Sequence, residues 1–96
     1  MNDRVHQLNN FALEAARDHN WPLALSQLQE AIKACGQCQE IPTLHKNLGL
    51  IYARKGDVDD AVRELNLALK EDPQNADAQR ALALLHQQKN SATESN

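Results

Sequence analysis

The sequence predicts an all-α fold of five helices, and three observations carry that prediction. Apolar and small residues recur at three- and four-residue intervals, the period of an α-helix. Glycine, asparagine and proline stand between those segments, where helices start and stop. One arrangement of small and apolar residues also occurs twice, offset by 37 residues. Leu8, Phe11, Ala12 and Ala15 fall against His45, Leu48, Gly49 and Tyr52. Ala24, Leu28 and Ala31 fall against Ala61, Leu65 and Ala68.

The elements follow in order. In the first helix Leu8, Phe11, Ala12 and Ala15 span an arc of about 100°, read as the packing face. Asn20 is a candidate N-cap for the second helix, which opens on Trp21-Pro22 with proline in its first turn. That helix carries Ala24, Leu28 and Ala31 and stops at Cys35-Gly36. The third helix packs through Leu48, Gly49 and Tyr52. Arg54 and Lys55 suit its C-terminus, and Gly56 tolerates the left-handed closing conformation. Asp57 is a candidate cap for the fourth helix, with Asp59 and Asp60 in its first turn. Asp72-Pro73 stops it, because the residue before proline disfavours the helical region. Gly49 and Ala61 are small where the third and fourth helices cross, so the two backbones approach closely. Asn75 caps a fifth helix over 76–89, with Ala78, Leu82 and Leu85 on one face. Residues 90–96 are polar and uncapped, and read as a flexible tail.

The series His45, Leu48, Gly49, Tyr52, Ala61, Leu65, Pro73 resembles the tetratricopeptide repeat, W-x2-L-G-x2-Y…A-x3-F…P. His45 stands in place of the Trp and Leu65 in place of the Phe. The resemblance implies an α-solenoid of two helix-turn-helix repeats, about 5–38 and 42–75, plus a C-terminal capping helix at about 76–89. Together they make one domain over 1–89. The usual period is about 34 residues, so the extra residues belong in 35–41, between the repeats.

The resemblance also implies a non-enzymatic protein-protein interaction module. Its first, third and fifth helices would line a concave groove that receives a partner peptide or segment. On the helical wheel the arc away from the first packing face carries His6, Asn9, Asn10, Leu13 and Arg17. In the third helix it carries Thr43, Lys46, Asn47, Leu50 and Arg54. Asn10 then matches Asn47, Leu13 matches Leu50 and Arg17 matches Arg54; in the last helix Ala81, Leu84 and Gln88 continue the series. Asparagine can donate to and accept from a peptide backbone, leucine supplies an apolar floor, and arginine can hold a carboxylate bidentately. The expected groove residues are Asn10, Leu13, Arg17, Lys46, Asn47, Leu50, Arg54 and Leu84. Duplicated repeats also share surface residues by descent, without binding. Family members that bind chaperone C-termini need a cationic pair, whereas this chain has Asn9, Leu13, Asp77 and Ala81 at the places beside Asn47. The alternative to groove binding is a scaffold unit that self-associates as a homo-oligomer, with Leu67 and Leu84 off the packing faces.

Composition narrows the rest. The chain has 96 residues, 42% hydrophobic and 24% charged, with a net charge of −3. That mild charge offers no field for nucleic acid or an anionic membrane. No apolar run could span a bilayer and the start does not read as a signal peptide, so a cytoplasmic location is expected. No Ser-His-Asp order, apolar carboxylate pair or glycine-rich phosphate loop is present, and no cofactor or catalytic residue is expected. Cys35-Gly-Gln-Cys38 has C-x-x-C spacing, but a redox pair would want a βαβ context. A zinc site would need two more ligands, with His45 and His19 as distant candidates. The expectation is no metal: Cys35 as a small apolar residue at a helix end, Cys38 in a loop.

Overall fold

The computed structural model describes the backbone of residues 3–94 and the side chains of residues 3–88. Five helices follow one another: α1 Asp3–Arg17, α2 Trp21–Cys35, α3 Ile41–Lys55, α4 Val58–Glu71 and α5 Ala76–Glu94. No strand occurs among the described residues. The helices pair as α1 with α2 and α3 with α4; α3 also packs on α2, and α5 closes against α4.

The helix ends follow the punctuation of the sequence. Asn20 Oδ1 accepts from the Leu23 amide at 3.4 Å and Asn75 Oδ1 from the Ala78 amide at 3.1 Å, so each asparagine satisfies an orphan donor in a first turn. Gly56, at φ 103°, turns the chain out of α3, and its amide reaches the Tyr52 and Ala53 carbonyls. The Asp57 cap holds in position only. Asp57 holds the N-cap position without a side-chain cap bond; its carboxylate instead accepts from Lys55 Nζ at 2.6 Å. That hydrogen bond first, and the charge of Asp57 second, hold the Lys55 ammonium above its ordinary pKa.

The far end of α5 also differs from expectation. The helix runs to Glu94 rather than stopping near 89. No glycine or proline interrupts 76–94, so no residue with a large helix penalty forces a stop at 89. The expected tail over 90–96 therefore begins as helix, while 95–96 lie outside the described residues.

The core is built on small residues. Ala12, Ala24, Ala31, Ala61, Ala68 and Ala78 are completely buried, which lets the helix backbones nest and places larger side chains such as Leu28, Leu44, Ile51 and Leu65 between them. Two clusters result. One joins α1, α2 and α3 and includes Leu28, Leu44 and Leu48; the other joins α4 and α5 around Leu65 and Leu82. Tyr52 packs against both.

Two face assignments are corrected. Phe11, placed on the packing face of α1, is 47% exposed. Its counterpart Leu48 is buried because α1 and α2 precede it; no helix of the described residues precedes α1 to cover Phe11. Conversely, α3 is buried nearly all round, through Leu44, Asn47, Leu48, Gly49 and Ile51. The cause is its central place: it touches all four other helices, so no single wheel arc describes its core.

Candidate functional site

Where α1, α3 and α5 turn the same way, a groove of about 410 Å³ opens. Each helix contributes leucine to it: Leu13 from α1, Leu50 from α3, and Leu84 beside the buried Leu85 from α5. The first three set its apolar character. They belong to the apolar stripe of no helix pair, so folding leaves Leu13 38% and Leu84 55% exposed. Ala16 and Ala53 keep the walls low, Ala81 does the same on α5, and Gln88 adds a polar amide.

Of the expected groove residues, the structure brings Leu13, Asn47, Leu50, Arg54 and Leu84 to this lining. Asn10, Arg17 and Lys46 are outside it. Asn10 and Arg17 point into solvent, and Lys46 Nζ lies 3.6 Å from Asp77 Oδ2 on α5. Ala16 and Ala53 were missed, although the 37-residue offset that pairs Leu13 with Leu50 pairs them too.

The polar members are already engaged. Asn47 is only 7% exposed, and its Nδ2 donates to Asn9 Oδ1 at 2.8 Å, tying α3 to α1. The Arg54 guanidinium carbon stands 5.7 Å from the centre of the Trp21 ring, within range of a cation–π attraction. The same indole also stacks with His19, ring centres 5.3 Å apart. His19 itself sits at φ 62°, the left-handed conformation that closes α1. Arg54 thus belongs to the groove wall while its position is set by the start of α2. The floor is apolar and the charge is held at one edge.

Away from the groove, His45 Nδ1 lies 2.7 Å from Glu64 Oε1, both side chains largely covered. The histidine in place of the motif's tryptophan therefore trades aromatic contact for a polar tie between α3 and α4.

The sequence matches the family profile described as tetratricopeptide repeat over residues 9–76 and again over 46–95. The chain belongs to the tetratricopeptide repeat family. The second match begins 37 residues after the first, the same offset that relates Leu13 to Leu50. Tetratricopeptide repeats in general mediate protein–protein interaction and typically serve without catalysis. Among curated proteins, none matches the chain. No helix of the described residues is long and apolar enough to cross a membrane.

At the joint between the two helix pairs, Cys35 at the end of α2 and Cys38 in the following turn are bonded to each other, their Cα atoms 5.2 Å apart. This differs from the expected bystander role for Cys38, because the turn after Gly36 folds the two side chains together. A Glu40 carboxylate oxygen lies within 4.8 Å of both sulfurs. His6 Nε2, from α1, is 3.2 Å from Glu40 Oε1. The spacing of the cysteines was visible in the sequence, but the histidine beside Glu40 is 34 positions away and was not.

Proposed function

We propose that this tetratricopeptide domain binds a segment of a partner protein in the groove of α1, α3 and α5. In this reading 5–38 and 42–75 are two repeats, α5 is the cap, and the cytoplasm is the setting. The observation that carries it is the convergence of Leu13, Leu50 and Leu84 on one groove while two of the three stay substantially exposed. Exposed leucines scattered singly need no explanation, whereas leucines gathered in a concave site suit the apolar side chains of a ligand. Arg54 would take an acidic group at the edge of that segment through the guanidinium N–H groups left free of the indole face. Arg17, outside the lining, would act only on a longer ligand. Asn47 serves the ligand less than expected, since its amide already joins α3 to α1.

The test uses a peptide selected against the wild-type domain from a random display library. Leu13→Asp and Leu84→Asp should each weaken that peptide at least tenfold while the helical circular dichroism stays intact. Affinity unchanged in both variants rejects the groove.

Self-association is the second reading, and a different surface favours it. Phe11 and Leu23, at 47% and 46% exposure, lie in the first helix pair outside the groove lining. A sedimentation profile that shifts with concentration, and stops shifting in Phe11→Ser, would support it.

A further inference from the structure

We propose that the reduced Cys35–Cys38 pair, together with Glu40, forms a binding site for a thiophilic divalent cation of the zinc class, with His6 as the positioning residue for the carboxylate. The site is separate from the groove.

The backbone gathers the ligands. Gly36, at φ 65°, ends α2 and reverses the chain. The Cys38 amide then donates to the Cys35 carbonyl at 3.1 Å and the Ile41 amide to the Cys38 carbonyl at 3.2 Å. These two successive backbone turns place both cysteines at the same joint. Glu40, the N-cap residue of α3, brings its carboxylate to within 4.8 Å of both sulfurs. With bonds of about 2.0–2.3 Å to a tetrahedral zinc, ligand atoms stand about 3.3–3.8 Å apart, so ordinary side-chain rotation closes the remaining distance.

The donor set selects the ion. Two thiolates favour zinc over calcium or magnesium, which take oxygen donors. Three ligands come from the chain and water completes the tetrahedron. The Glu40 carboxylate accepts from His6 Nε2 at 3.2 Å, the kind of outer contact that orients a ligating group. The ion would clasp α2 to α3, with α1 attached through His6. Loading is balanced simply: each thiol loses its proton to solvent as its sulfur–metal bond forms, two protons per ion. The disulfide form presents no thiolate and must first take two electrons and two protons from a reductant.

The test uses the full chain, reduced with a phosphine and titrated without oxygen with cobalt(II), then zinc(II). One cobalt per monomer should give a thiolate-to-cobalt charge-transfer band that zinc bleaches, with release of two protons. The oxidised chain, Cys35→Ser and Cys38→Ser should give no such band. Glu40→Gln and His6→Ala should keep the band and weaken the metal about 10- to 100-fold. Circular dichroism checks that each variant is folded. No band in the reduced wild type, a band that survives Cys38→Ser, or one metal shared by two chains overturns the site. Full affinity in Glu40→Gln overturns the assignment of the carboxylate and, with it, of His6.

Discussion

A methyl group on the Cα of Gly49 would lie 2.7 Å from Leu65 Cγ and 3.2 Å from the carbonyl oxygen of Ala61. Real Cβ atoms essentially never show that approach, so something must shift, and Leu65 is wholly buried. In an open helix Gly→Ala gains about 1 kcal/mol. At position 49 overpacking costs about 1–3 kcal/mol, so Gly49→Ala should be destabilising in urea denaturation. Combining it with Leu65→Ala should cost less than the two single changes summed. A Gly49→Ala protein more stable than wild type would remove the crossing from this place.

Asn47 and Asn9 form the polar tie between α3 and α1. Replacing Asn47 by Ala should destabilise by about 1–2 kcal/mol. A double-mutant cycle with Asn9→Ala should show a coupling on the order of 0.5–1.5 kcal/mol. Purely additive losses would mean that the amides meet only in passing.

The two cap positions should separate. Asn75→Ala removes a bonded cap and should cost about 1 kcal/mol. Asp57→Ala removes only an exposed, solvent-screened ion pair with Lys55 and should cost clearly less than the Asn75 change. Thermal melts of the two variants side by side decide it, and an equal loss would restore Asp57 as a capping residue.

Trp21 is the sole tryptophan and lies under Arg54, which lines the groove. A ligand that engages Arg54 should therefore change the tryptophan emission. The same ligand added to Arg54→Ala should change it far less. An emission blind to a bound groove peptide would place that peptide away from the arginine edge.

Much of this architecture was legible because it depends on local chemistry. Asn20, Gly36, Gly56, Pro73 and Asn75 mark helix boundaries through capping and φ restrictions that neighbouring residues alone decide. Gly49 and Ala61 declared the crossing because only small side chains fit one. Leu13 and Leu50 were legible from the 37-residue offset, and Leu84 from its position in the last helix. What failed was whatever depends on how many neighbours a helix has. A wheel treats α3 as having one packing face, yet four helices surround it, and Asn47 is covered as a result. The same reasoning buried Phe11, whose repeat-mate Leu48 has helices before it. The cluster at Glu40 was hidden for another reason: His6 meets it only through tertiary folding.

Tyr52 contacts both hydrophobic clusters, and that has a mechanical result. A single phenol ring spans the seam between the halves, so melting either side strips half of its surroundings and loosens its grip on the other. Disorder starting at one end should cross that seam rather than halt there. Severing the chain at Gly56 would expose the ring's flank on one fragment and orphan Leu65 on the other, leaving neither piece a self-sufficient core.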